Sequence, residues 1–435
     1  MPQVHADRQS ARMPAANIPR RRWRIALLLG IGVVVNYFDR VNLTVSSAAF
    51  ARDFGMSAAT FGVLAGAYNW TYAACQLPIG VILDRFGVKL VGRISILVWS
   101  AASFLASIAP NVSSLFGARF LLGVGEAPTF PANAKAVGAW FPSHERSFAT
   151  SLFDSAAKFS PALGVPVLGA VLLHIGWRWT FALTGIVSLL FAAVFFLVYC
   201  EPEEDPGLSA DELAYIHAGH SSTPSITSRQ IDSLGDLLRE PKIIGFSLGF
   251  GSYNYVFYLL LSWLPSYLSR AMHVDLLHSF LYTGVPWLAA AFTDLLVGGI
   301  LVDKLIQNGY DQSRVRMTVL VLGTACGLGI VGAAWSHTPL QALAWITLSI
   351  SGLSAAAPVG WSIPSLIAPR PAVGKVGGIV NFSNQVSGIL APAITGFMLS
   401  YLHSFTGAFM VAGAYLLIGI CAYLFLLRDL HPVQV

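Results

Sequence analysis

Seven ionisable side chains stand inside long apolar stretches of this 435-residue chain: Asp39, Arg40, Arg119, Glu126, Asp154, Lys158 and Asp294. A charge at the centre of a bilayer costs roughly 2.5–3.5 kcal/mol on insertion scales, so each needs a partner or a task. Asp39 and Arg40 lie about 21 Å into the first apolar run at 1.5 Å per helical residue, too deep for easy escape to the surface. Neighbouring helix positions point about 100° apart, so these two require separate partners. Arg119 and Glu126 are seven apart and share a helix face, with Gly123 and Gly125 between them allowing close approach of another helix. Burial favours a neutral carboxyl and a nearby guanidinium favours the anion, so such a group can change protonation as its exposure changes. This chemistry is proton exchange at Asp39 and Glu126 beside a cation, Arg40, that can face an anion. Asp154 and Lys158 are four apart on one face, in an order that lets them neutralise each other. Lys158 is also about 18 Å into its run, near mid-depth, where an ammonium could serve as a second cation for a carboxylate. Asp294 fits a gate or a helix–helix contact better than a binding role.

Neutral polar groups recur at similar depth. Tyr37, Tyr72 and Gln76 precede residue 80, and Tyr253, Asn254, Tyr255 and Tyr258 cluster before Trp263. Trp361 and Ser362 follow Pro358-Val-Gly360, and Asn381, Asn384 and Gln385 lie within eight residues of Gly378. A dry pocket for a polyhydroxylated anion needs fixed cations together with amide, hydroxyl and aromatic groups. Asn381 and Asn384, three apart, can both point inward. Aromatic residues taken singly fit core or interface anchoring better than substrate contact.

The elements that must position these groups follow from composition. The chain is 55% hydrophobic and 11% charged, with a mean hydropathy of +0.66. Ordinary soluble domains carry roughly 25% charged residues. A soluble enzyme, a disordered chain and a fibre are excluded, and unbroken apolar runs of about twenty exclude a β-barrel pattern. Twelve spans are read, at 25–48, 59–82, 90–109, 112–136, 147–172, 179–200, 242–269, 279–302, 315–335, 339–366, 374–401 and 405–427. The fold expected is an all-α membrane protein of two six-helix halves, 25–200 and 242–427. A cytoplasmic linker, 201–241, joins them, and tails 1–24 and 428–435 flank them. The termini and even-to-odd loops hold 20 Lys/Arg and the opposite side three, so both termini are expected to be cytoplasmic. The four cysteines are too scattered for a metal site or a disulfide framework. The net charge of +5 comes with no basic–aromatic segment for nucleic acid.

A short repeat links the halves. Gly80-Val-Ile-Leu-Asp84-Arg85-Phe-Gly87-Val-Lys89 follows the second span, and Gly299-Ile-Leu-Val-Asp303-Lys304 follows the eighth. The first copy resembles the loop signature of the major facilitator superfamily, and Arg119-x-x-x-Gly123-x-Gly125 resembles its fourth-helix motif. Asn36-Tyr37-Phe38-Asp39-Arg40 and the stretch from Gly125-Glu126-Ala127-Pro128 to Glu145-Arg146 resemble the anion:cation symporter family, in particular bacterial hexuronate, galactonate and glucarate carriers. The resemblance implies a coupling proton on Asp39 with a second on Glu126. It implies substrate contact at Arg40 and Tyr72, tuning of either site by Arg119, and a cytoplasmic gate at Asp84 and Arg85. Asp303 takes the corresponding gate position in the second half. It assigns nothing to Lys158.

There is no P-loop, metal-ligand cluster or nucleophile elbow, so neither catalysis nor a cofactor is expected. The reading is a proton-coupled, alternating-access importer of a small organic anion, a sugar acid by resemblance, in the bacterial inner membrane. Its partners are the substrate, protons and the lipid bilayer, and a monomer is expected. An anion exchanger, a uniporter and a transport-incompetent sensor are the alternatives.

Overall fold

A computed structural model describes residues 20–142, 145–218, 234–368 and 372–431. Parts of both expected tails and of the linker lie outside these residues. Helix dominates the described chain, and no strand occurs in it. The first group comprises α1 (Arg21–Val45), α2 (Ser47–Phe54), α3 (Ala58–Ser107), α4 (Val112–Glu126), α5 (Thr129–Trp140), α6 (Arg146–Ile175) and α7 (Trp177–Val198). Two short helices, α8 (Ala210–Ala218) and α9 (Leu234–Arg239), belong to the polar linker. The second group begins with α10 (Pro241–Arg270) and α11 (Leu276–Thr293). A π-helical stretch, Asp294–Leu301, then leads into α12 (Val302–Gln307). It ends with α13 (Gln312–Gly327), α14 (Gly329–Ala334), α15 (Pro339–Ile367), α16 (Val373–Leu402) and α17 (Thr406–Ala422).

Among the described residues, ten helical segments are long and apolar enough to cross a membrane. The expected spans 59–82 and 112–136 are not separate members of that set, for local reasons. The first runs without a break into the next as α3, whose only non-helical backbone is at Gly87. There φ is +74°, a left-handed value that a side chain would strain, so the glycine of the 80–89 motif is needed for the bend. The second is divided at Ala127-Pro128 into α4 and α5, because proline lacks the N–H that would continue the ladder.

Helix starts carry their own signals. The side chains of Ser57, Asn111, Asp275, Asp311 and Thr338 each accept a bond from a backbone N–H three residues on. For α1 this role falls to a distant residue. The Glu212 carboxylate of α8 accepts from the backbone N–H groups of Arg21 and Arg22 at 3.2 and 3.1 Å and from the Arg22 guanidinium at 3.0 Å. An anion there matches the positive end of the helix and fastens the linker to the first span.

Within the first group α1 packs on α6 and α7, and α3 on α4 and α7. In the second, α10 packs on α16 and α17, and α15 on α11 and α13. The groups meet along α3–α16 and α6–α11. Both seams depend on backbones approaching closely. A Cβ on Gly62 would sit 2.3 Å from the Pro392 carbonyl oxygen, and one on Gly284 2.7 Å from that of Ala162. At one end the seam is also tied by Thr44, which donates to the Leu261 carbonyl at 2.9 Å, and by the Ser47 and Ser266 hydroxyls, 3.1 Å apart. The outer surface is apolar, with Leu197 87% and Ile108 71% exposed, as a lipid-facing surface requires.

Candidate functional site

A cavity of about 560 Å³ lies between the two groups. Its wall takes Tyr37 and Arg40 from α1, Tyr72 and Gln76 from α3, and Asp154 and Lys158 from α6. The second group supplies Tyr253, Asn254 and Tyr258 from α10, Trp361 from α15, and Asn381, Asn384 and Gln385 from α16. A smaller cavity of about 290 Å³ adjoins it, lined among others by Arg146, Asp154, Gly298, Asp303, Arg316, Trp361 and Ser362. Asp154 and Trp361 line both.

Two ionic centres occupy the larger wall. At the first, Arg40 Nε donates to Glu126 Oε2 at 2.8 Å and Nη2 to Asn36 Oδ1 at 3.1 Å. The guanidinium carbon lies 4.2 Å from the Tyr37 ring centroid, 4.8 Å from Tyr68 and 5.8 Å from Tyr72. Aromatic faces stabilise a cation and fix its plane. Arg40 is therefore charge-balanced from behind and turned toward the cavity. Glu126 is fully buried, and its second oxygen, Oε1, has no hydrogen-bond partner.

Asp39 points away from the cavity. Its carboxylate accepts from Ser103 Oγ at 2.5 Å and from Ser188 Oγ at 3.3 Å. Arg119 Nη1 donates to the Asp39 carbonyl at 3.2 Å. Adjacent residues of α1 thus find partners on different helices, as the 100° rotation between them demands. Arg119 and Glu126 each serve a residue of α1 and form no ion pair with one another.

At the second centre, Lys158 Nζ contacts Asp154 Oδ2 at 2.7 Å and Asp294 Oδ2 at 2.8 Å. The local Asp154–Lys158 pair that the spacing allows does form. Asp294 joins it from the other group, across the seam. Its approach is close in distance, but the angle falls outside a hydrogen bond, and Asp294 Oδ1 also lacks a partner.

The neutral groups bridge the seam as well. Asn381 Nδ2 donates to Gln76 Oε1 at 2.9 Å, and the Tyr68 and Tyr258 hydroxyls lie 3.0 Å apart. Asn384 is 2% exposed, yet neither its Oδ1 nor its Nδ2 has a partner. A buried amide left unsatisfied costs about 1–3 kcal/mol, and this one keeps its hydrogen-bonding capacity on the cavity wall.

Of the residues singled out from sequence, Tyr37, Arg40, Tyr72, Lys158, Trp361, Asn381 and Asn384 share the larger wall. Asp39, Arg119 and Glu126 lie behind it. Ser362 faces the smaller cavity and donates to the Val359 carbonyl of its own helix at 2.7 Å. Asp303 faces that cavity too, with Arg316. Asp84 pairs with Lys135 at 2.7 Å, and Arg85 lies over the Phe86 ring at 5.3 Å. Sequence reasoning passed over Tyr68, Ser103 and Ser188. Tyr68 stands one helical turn before Tyr72, a spacing that could have found it. Small hydroxyls inside apolar helices carry no comparable signal.

A helical bundle with a charged cavity at the seam of two helix groups has the architecture of a membrane carrier. The family model of the Major Facilitator Superfamily matches residues 29–392, and the chain belongs to that superfamily. It is 37% identical over 415 residues to the transporter YybO of Bacillus subtilis (strain 168), with 95% of each chain covered. It is 32% identical over 426 residues to a D-galactonate transporter of Escherichia coli O6:H1, covering 96% of this chain and 98% of that one. A probable galactarate/D-glucarate transporter, GarP, of Escherichia coli K12 is 30% identical over 428 residues, covering 95% and 96%. In fold, the chain resembles a bacterial homologue of the human lysosomal transporter Spinster in an inward-facing, unoccupied conformation. That match has a TM-score of 0.73 at 17% identity, over 94% of this chain and 97% of that one. A D-xylose–proton symporter matches with a TM-score of 0.71 at 17% identity, over 95% and 98%. The protein is a multi-pass transporter of the inner membrane and not an enzyme.

Proposed function

We propose that the protein imports a sugar acid together with protons by alternating access. The observation that carries this reading is the Arg40 centre. A guanidinium faces the cavity among three tyrosines while its carboxylate partner, Glu126, stays behind the wall. An incoming carboxylate can take the cavity side of Arg40 only if the negative charge at its back is reduced, and protonation of Glu126 does that. Asp39, cradled by two hydroxyls and linked through its carbonyl to Arg119, is the second proton carrier. Asn381, Asn384, Trp361 and the tyrosines of α10 offer hydroxyl-binding and stacking groups across from the charges. The named substrates of the relatives, galactonate and galactarate or glucarate, support a polyhydroxylated carboxylate.

On this reading twelve spans place both termini and the linker in the cytoplasm. The seam tied by Thr44 and Ser47 then faces outward, and the end lined by Arg146, Asp303 and Arg316 faces the cytoplasm. Asp84, Arg85 and Asp303 act as gate residues there, and the two six-helix halves rock against each other around the cavity.

Proteoliposomes loaded with a pH-sensitive dye test the proposal. D-galactonate or D-glucarate added outside is expected to acidify the lumen, and Glu126→Gln to abolish uphill uptake while preserving counterflow of labelled substrate. Exchange without acidification would replace symport by anion exchange. Ligand binding with no flux of any kind would make the protein a sensor.

A further inference from the structure

The Arg40 centre does not account for Asp294. This residue opens a π-helical stretch in the second group, is fully buried, and reaches across the seam to a lysine already paired on its own helix. Single π-turns inside longer helices recur at functional sites, because the extra residue redirects a side chain. With all three groups ionised the Lys158 centre carries one net negative charge, in a membrane interior and on the wall of a cavity meant for anions. A substrate carboxylate brought to Lys158 would raise that to two.

Resting on the sugar-acid symport reading above, we propose that Asp294 is a further proton-coupling residue and that Lys158 is a second anion subsite. Asp294 takes a proton, its hold on Lys158 loosens, and the substrate's second polar end replaces it at the ammonium. The charges balance: minus one when all are ionised, zero once Asp294 is protonated, and then minus one again with the second carboxylate of an aldarate in place, or still zero with the terminal hydroxyl of an aldonate. Lys158 remains an ammonium throughout. The Asp294 oxygen without a partner is available to receive the proton. Asp154 lines both cavities and touches the same ammonium, so it connects the Lys158 centre to the smaller cavity. Arg146, at the start of α6, lines the smaller cavity beside Leu295 and Gly298 and is not among the groups that touch Lys158. α6 presents Lys158 and Asp154 to Asp294, and α10 presents the phenol of Tyr253. α15 has no ionisable residue, and α11 has only His278 and Tyr282, toward its far end. On its own strand of chain the next charges are Asp303 and Lys304, and Arg316 of α13 faces the smaller cavity beside Asp303.

The centre also crosses the seam between the halves. Exchange of Asp294 for substrate at Lys158 therefore converts binding into release of a tie between α6 and the second group. It gives each half its own proton site.

Protons taken up on ligand binding measure this directly. Purified full-length protein in lightly buffered detergent is mixed with D-galactonate or D-glucarate and a pH dye. Asp294→Asn is expected to take up one proton fewer per ligand bound than wild type, with Glu126→Gln lower by one and the double variant lower by two. The H⁺:substrate ratio in proteoliposomes should fall in step. Asp294→Ser, checked for cooperative thermal unfolding, carries the same expectation should the asparagine variant fold poorly. An unchanged proton count in both Asp294 variants overturns the proposal. A change for Asp294 but none for Glu126 would sustain it while removing Glu126 from the coupling scheme above.

Discussion

The Arg40 and Lys158 centres solve one problem, a cation held inside a membrane, in different ways. Arg40 is a planar guanidinium clamped by Glu126, Asn36 and three aromatic rings, all from the first helix group. Its environment is complete without the second group, so it can persist through a movement of one half against the other. Lys158 is a compact ammonium shared by two carboxylates, one on its own helix and one across the seam. Its environment is complete only while the halves are in this arrangement. On the proposed function the first centre binds, and the second reports where the halves are. Arginine suits the former because its fork and face fix geometry. Lysine suits the latter because its ammonium exchanges partners easily.

The largest effect expected is at the shared ammonium. Lys158→Met would leave two buried carboxylates without their cation, a loss on the order of 3–5 kcal/mol for breaking a buried pair. A marked fall in thermal stability in detergent should appear, partly restored by adding Asp294→Asn. An equal melting temperature in wild type and single variant would show that the centre is not ionised. Next, Arg40→Lys keeps the charge but loses the second hydrogen bond and the stacking plane. Charged hydrogen bonds are worth about 1.5–3 kcal/mol, so substrate affinity should weaken roughly ten- to a hundredfold, read by isothermal titration. Little change would mean that the aromatic clamp does not orient the cation.

Gly62→Val acts on the seam instead of either centre. The Cβ would stand 2.3 Å from the Pro392 carbonyl oxygen, and such overpacking costs about 1–3 kcal/mol. The closed end should open more often, seen as faster labelling of a cysteine placed at Ser47. The Lys158 tie should weaken with it, while the Arg40 centre should not. The smallest effect is expected for Ser103→Ala, which removes one neutral donor from Asp39. A loss of about 1 kcal/mol should shift the pH dependence of uptake without abolishing it. An identical profile would separate Asp39 from coupling.

Much of this was legible in the residues. Asp39 next to Arg40 required two separate partners, and the structure supplies them from different helices. The four-residue spacing of Asp154 and Lys158 allowed a local pair, which forms. Gly87 was legible only as part of the loop motif, and the structure adds that it alone in α3 leaves helical geometry. The apolar runs held the core of the bundle, while the division into separate helices moved, at α3 and Pro128 and also at Ser46, Asp294 and Leu328.

The amino-acid sequence by itself determined that this is a helical membrane protein whose chemistry rests on a few buried charges. That follows from composition and from spacing along single helices, both local quantities. Which charge meets which was decided only by tertiary packing. Asp294 is 136 residues from Lys158 by position, and Glu126 is 86 from Arg40. No periodicity within one helix encodes the rotation and depth at which it meets another. The same limit applies to Arg119, whose sequence context leaves open whether it serves the Asp39 site or the substrate site and whose packed position is behind the wall, on the Asp39 carbonyl.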